Sequence, residues 1–197
     1  MSFRAALFST LLTVSAVPGA APATWTIDPE HSAVQFSVRH MLISDVRGEF
    51  DGPTGTVAFD PADLASTQVE ATIDARTINT RNAPRDRDLR GAEFFNVAKF
   101  PRITFKSRRA QVLAPGSFKL IGDLTMRGVT KEVSLSVEGP TPEIVDLNGD
   151  RRLGAAATTT IDRRDFGLLY NELIEGGGAV VGNQITITID LEVTRRK

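Results

Sequence analysis

The chain has 197 residues, enough for one domain, and carries 23 Lys+Arg against 24 Asp+Glu, a formal net charge of −1. That balance excludes the basic excess of a nucleic-acid binder, and 41% hydrophobic residues exclude a disordered chain. Cysteine is absent and histidine occurs twice, which excludes disulfides, thiolate chemistry, cysteine-held metals or lipid anchors, and any site needing several imidazoles.

In chain order, Arg4 is the only charge before Asp28. An apolar run from Ala5 to Val17 follows, Pro18 and Gly19 break it, and small residues continue through Ala23. This pattern predicts a secretory signal over 1–23, cleaved after Ala21-Pro22-Ala23 or, alternatively, after Ala20. The run is shorter than the ~20 residues a spanning helix needs. The domain would then be 24–197, with a net charge of −2 once Arg4 is lost.

Nearly every later stretch alternates with period two, as half-buried strands do. Val34, Phe36 and Val38 share one face, with His40 at its end. Val46, Gly48 and Phe50 follow, then Val57 and Phe59, then Val69, Ala71 and Ile73. Pro84 to about Phe95 predicts a short helix, with Pro84 suited to its first turn. Ile103 and Phe105 resume the alternation, then Phe118, Leu120, Leu124 and Met126, then Val133, Leu135 and Val137. Leu168 to Ile174 offers a second short helix. The last run, Ile185 to Val193, alternates most cleanly. Turn residues separate the runs, among them Asp51-Gly52-Pro53, Pro115-Gly116 and Asn148-Gly149. Eight or nine such strands predict an all-β antiparallel barrel or sandwich, and a barrel of about eight strands can hold one small ligand. Eleven Phe against one Trp and one Tyr suit either a filled core or a cavity for a long apolar molecule.

The residues that could carry chemistry are sparse. His31 and His40 are nine apart, which on one strand places them on opposite faces and argues against joint metal ligation. No Gly-x-Ser-x-Gly elbow is present. Asp162 and Asp165 are flanked by Arg163 and Arg164, which suggests solvated ion pairs rather than a catalytic carboxylate pair. Gly176-Gly177-Gly178 precedes a strand and reads as a bend, not a phosphate cradle. Arg76, Arg81, Arg85, Arg87 and Arg90 stand against Asp86 and Asp88. They are either a solvated face or a basic rim for an anionic head group. The outward positions Arg102, Lys106, Asp123, Arg127 and Glu192 are charged, which with one Trp and one Tyr disfavours an integral outer-membrane barrel.

Several segments together resemble the YceI-like family: Trp25-Thr-Ile-Asp-Pro-Glu-His-Ser32, Phe36-Ser-Val-Arg-His40, Val46-Arg-Gly-Glu-Phe50 and Asp88-Leu-Arg-Gly-Ala-Glu-Phe-Phe-Asn96. Further matches are Phe100 to Lys106, Gly122 to Lys131, Thr160 to Asn171 and Gly176 to Gly182. The resemblance implies an extended lipocalin-like β-barrel around a cavity for a polyisoprenoid or similar long-chain amphiphile. It also implies export to the periplasm and often a homodimer. It carries over no catalytic residue, metal or cofactor. Tyr170 stands where many relatives have Trp. Inward parity and this resemblance together name Phe36, Val38, His40, Phe50, Phe59, Arg90, Phe105, Phe118, Leu120, Met126, Phe166, Tyr170 and Ile187 as ligand contacts. The expected function is non-catalytic binding, transport or storage of a long-chain isoprenoid or related lipid, with an enzyme acting on such a lipid or a quinone as the alternative.

Overall fold

The computed structural model describes residues 22–172 and 179–196. The strands are β1 (Ala23–Ile27), β2 (Ala33–His40), β3 (Ser44–Phe50), β4 (Thr54–Asp60), β5 (Asp63–Asp74), β6 (Arg102–Ala114), β7 (Ser117–Met126), β8 (Val129–Glu138), β9 (Ile144–Val145), β10 (Arg151–Asp162) and β11 (Val181–Arg195). Among the described residues one helix, α1 (Ala83–Arg90), and two 3-10 turns, Ala75–Thr77 and Arg163–Phe166, interrupt them. The expected signal segment up to residue 21 and the Gly176-Gly177-Gly178 bend lie outside the described residues.

Strand β11, at about 50 Å for its fifteen residues, organises the barrel. One edge pairs with β10 from Arg151↔Arg195 to Asp162↔Gln184. The other edge pairs with β2 through Ile185↔Val38 to Asp190↔Ala33, then with β1 through Ile27↔Val193. Strands β1 and β2 are therefore two halves of one stave. Strands β4 and β3, which pair with them, are halves of the next. With the halves merged, eight antiparallel staves close through the β10–β11 ladder, and β9 adds only a short outer pair on β10. Of the barrel or sandwich that the alternation predicts, this is the barrel, and it is the lipocalin-like one that the family resemblance implies. Closure follows because each stave has one apolar face to bury and two edges to satisfy.

One end is plugged. Trp25, Ile27, Val57, Phe59, Leu153 and Val193 pack together there. The Trp25 and Phe59 ring centroids are 5.9 Å apart, and the Arg195 guanidinium lies 4.6 Å from the Trp25 ring centroid. Outside this plug, Arg152 ties three segments together. Its Nε donates to Asp146 Oδ2 at 2.7 Å, and its Nη1 donates to Asp28 Oδ2 at 2.7 Å and Glu192 Oε1 at 2.5 Å. Burial by itself would raise the Asp28 pKa, but hydrogen bonds from His31, Arg152 and the Glu30 N–H outweigh it and hold the carboxyl at about 2.

A carboxyl with a depressed folded-state pKa stabilises the fold above its unfolded value and loses that contribution as pH falls. Melting temperature is therefore expected to drop between pH about 4 and 2, with Asp28 accounting for about 2 kcal/mol. Arg152→Gln should melt lower at neutral pH and show a flatter decline over that window. An unchanged acid slope in the variant would remove Arg152 from this role.

The other end is open, and the two helical expectations part there. Helix α1 forms because the Asn82 side chain accepts the Arg85 N–H at 3.0 Å and Pro84 sits in the first turn. It ends at Gly91, short of the expected Phe95. The helix expected over Leu168 to Ile174 is absent from its described part. Instead a 3-10 turn at Arg163–Phe166 stops at Gly167, whose φ of 74° is left-handed. Beyond it, the Asn171 side chain bonds both the N–H and the C=O of Val181, tying this segment to the start of β11.

Candidate ligand cavity

Alternate side chains of every stave point inward, so the interior volume depends on the sizes of those rows. The inward row of β10 reads Leu153, Ala155, Ala157, Thr159, Ile161, opposite Val193, Leu191, Ile189, Ile187 and Ile185 of β11. The inward row of β5 contributes Thr67, Val69, Ala71 and Ile73. The β10 row is small in the middle and large at its ends, and the β5 row adds Thr67 and Ala71. A cavity of about 260 Å³ remains where these rows are small, and its accessible wall is entirely apolar. The threonine hydroxyls are used within the wall: Thr67 Oγ1 donates to the Leu64 carbonyl at 2.7 Å and Thr159 Oγ1 to the Ser134 carbonyl at 2.9 Å. Two glycines make room for aromatic rings. A Cβ on Gly48 would stand 2.4 Å from the Phe36 ring, and one on Gly122 would stand 2.7 Å from the Phe105 ring.

Of the residues named from the sequence, Phe36, Val38, Phe50, Phe105, Phe118, Leu120, Met126 and Ile187 line this cavity. The other five lie elsewhere. Phe59 belongs to the end plug and borders a separate void of about 40 Å³. Phe166, 1% exposed, is core beneath the 3-10 turn. Arg90 does not reach the opening. Its Nε donates to the Arg76 carbonyl at 2.7 Å and its Nη2 to the Ile78 carbonyl at 2.6 Å, because the 3-10 turn leaves those carbonyls without intrahelical partners. His40 and Tyr170 lie outside the cavity, in a vestibule of about 520 Å³ at the open end.

That vestibule shares Phe36, Val38, Leu89, Phe94 and Val181 with the cavity, so the two adjoin at these side chains. Leu89 is the apolar residue by which an otherwise polar α1 reaches the interior. Around the vestibule stand Arg39, Arg85 and Arg87, with Asp88 and Glu93. The Tyr170 and Phe94 ring centroids are 4.9 Å apart. The Tyr170 hydroxyl donates to Glu172 Oε1 at 3.0 Å, and that bond raises the phenol's pKa.

The arginine-rich segment, for which a solvated face and a basic rim are the two readings, is mostly engaged with groups close by in the chain. Arg76 pairs with Asp74 at 2.6 Å, and Arg85 donates to the Thr80 hydroxyl and carbonyl at 2.7 and 2.9 Å. Asp86 is buried. Burial favours its neutral form, but the Thr80 N–H and O–H, at 2.8 and 2.5 Å, hold its pKa below the usual carboxylate value. Only Arg85 and Arg87 of the five reach the vestibule. Arg127, expected to point outward, instead donates to the Gly167 and Ala92 carbonyls.

Two features escaped the sequence reading. Arg163 was assigned to solvated ion pairing, yet it is 4% exposed and lines the cavity near the opening. Its guanidinium donates to the carbonyls of Gly182 (2.9 Å), Leu168 (2.5 Å) and Val181 (3.4 Å). Arg164 makes the surface pair with Asp162 instead, at 2.6 Å. The small row on β10 was also missed, although Gly154-Ala-Ala-Ala157 was a visible signal. Asp28, His31 and Glu192 place ligand atoms within 4.8 Å of one another, but Arg152 bonds both carboxylates and supplies the positive charge there.

Comparison with known proteins places this geometry among relatives. A family model described as the YceI-like domain matches residues 25–193. A UPF0312 protein of Staphylococcus aureus is 32% identical over 168 residues, covering 85% of this chain and 95% of the relative. Among solved structures, Burkholderia cenocepacia BcnA is 20% identical with a TM-score of 0.72, over 84% of this chain and 98% of that one. A polyisoprenoid binding domain from Saccharophagus degradans is 16% identical with a TM-score of 0.62, over 86% and 97%. At 20% and 16% identity these two likenesses are of fold.

Proposed function

The chain belongs to the YceI-like family, and from that membership and the apolar accessible surface of the cavity we propose that it binds a long-chain isoprenoid or related amphiphilic lipid without chemical change, as a carrier or store. The polyisoprenoid binding stated for the Saccharophagus degradans domain supports the ligand class. The observation that carries the reading is the wall: each CH₂ moved from water into it contributes about 0.8 kcal/mol. A polar head in the vestibule adds roughly the 0.2–1 kcal/mol of an exposed charge pair. Binding without catalysis is supported by the lining itself. Among the described residues Arg163 is its one titratable side chain, and that guanidinium is committed to carbonyls, so none of these offers an acid or base beside the chain of a bound lipid. Among the described residues no helix is long and apolar enough to cross a membrane.

Export to the periplasm through the signal segment, and pairing into a homodimer, are part of the same proposal. The experiment is native purification from a periplasmic extract, N-terminal sequencing, and mass spectrometry of the organic extract. The expected result is a chain beginning near Thr24 and carrying one intact long-chain lipid. A retained Met1 would remove the export reading. Recovery of a chemically altered lipid after incubation would favour the enzyme.

A further inference from the structure

The rim of the open end carries exposed apolar side chains. The β2–β3 hairpin turns at Met41, Leu42 and Ile43, which are 38%, 66% and 80% exposed. Leu169, beside the vestibule residue Tyr170, is 68% exposed. The turn is also conformationally unfavourable. Met41 and Leu42 have left-handed φ values of 49° and 63°, a region that Gly, Asn and Asp enter readily and bulky residues do not. A turn selected for stability alone would place polar or glycine residues here. The Met41 N–H donates to the Val180 carbonyl at 2.8 Å, and Val180 lines the vestibule, so the tip is fastened to the lip of the opening.

We infer that this tip inserts into the surface of a lipid bilayer and sets the vestibule against it, so that a ligand passes between bilayer and cavity without crossing water. The inference rests on the lipid-binding reading above. Four exposed side chains amount to at most a few hundred Å², short of the roughly 800 Å² per partner of a stable protein interface. Each CH₂ that crosses water lowers the partition about fourfold, so release of a long chain through solvent would be slow. Charges beside the tip nearly balance: Arg39 pairs with Asp45 at 3.4 Å, and Arg85 and Arg87 stand with Asp88 and Glu93. The surface therefore suits apolar insertion into a zwitterionic bilayer rather than charge-driven adsorption.

The test compares the parent chain with Met41→Asn/Leu42→Gly/Ile43→Thr, whose first two substitutions fit the left-handed backbone and should not lower the melting temperature. A fluorescent prenyl-chain probe is offered in phosphatidylcholine vesicles and, separately, dispersed in cyclodextrin. Uptake from vesicles should speed up with vesicle concentration in the parent and be at least tenfold slower in the variant, with equal uptake of the dispersed probe. Equal rates from vesicles, or a parent chain that binds dispersed probe but gains nothing from vesicles, would overturn the docking surface alone. A variant that loses a dimer rather than vesicle uptake would reassign the tip to an interface between copies. A parent that binds neither form of the probe would overturn the cavity reading and the docking role with it.

Discussion

Ala157→Trp is expected to abolish uptake of a long-chain lipid while leaving the barrel as stable as the parent. Ala157 sits at mid-height on β10, between Ile189 of β11 and Val137 of β8, and its side chain lines the cavity. Enlarging a residue in a filled core costs roughly 1–3 kcal/mol in strain. Here the indole enters about 260 Å³ of unfilled apolar space, where burying its surface at about 25 cal/mol per Å² offsets that cost. The ligand and the indole would compete for one volume, so affinity for a fluorescent prenyl probe should fall at least a hundredfold. Ala156→Trp is the control. Ala156 is exposed on the outer face of the same strand, and that variant should bind as the parent does. Unchanged affinity in Ala157→Trp would place the ligand outside the barrel. A melting temperature lowered well beyond that of Ala156→Trp would show that the cavity is filled by side chains in solution.

Arg163→Leu is expected to be the most destabilising single change at the open end. The guanidinium is 4% exposed and joins the turn after β10 to the start of β11 by donating to backbone carbonyls of Leu168, Val181 and Gly182. Burial pushes its pKa down, yet an arginine remains charged at any working pH. Removing it takes these donors from the Leu168 and Gly182 carbonyls, while Val181 keeps its bond from Asn171; the loss is about 3 kcal/mol in total, or about 6–12 °C in melting temperature for a domain of this size. Arg163→Lys should rescue little, because one ammonium cannot reach the several carbonyls that a planar fork spans. Arg164→Leu, which breaks the exposed pair with Asp162, should cost under about 1 kcal/mol. Equal effects from Arg163→Leu and Arg164→Leu would return Arg163 to the solvated role that its neighbours suggested.

The reach of the sequence is clearest along β11. Its alternation of Ile185, Ile187, Ile189, Leu191 and Val193 with polar residues determined which side chains face inward, and the same parity assigned Phe36, Phe50, Phe105, Phe118 and Leu120 to the interior. Period two is a local property, so strand and face were legible from it, whereas the choice of barrel over sandwich came from the family resemblance. The ends of the barrel were not. Phe59 shares the inward parity but lies in the plug with Trp25, because parity gives the face of a residue and not its height along the axis. The arginines were misread for a related reason. Asp neighbours in the chain suggested ion pairs for Arg163, and the density of arginines suggested a solvated face or a basic rim for Arg90, whereas both serve backbone carbonyls that only the fold brings within reach. The cavity depended on tertiary structure most of all. No single segment encodes an empty space: Ala155, Ala157 and Thr159 of β10 and Thr67 and Ala71 of β5 line the same cavity, and only closure of the barrel brings strands so distant in sequence to face each other.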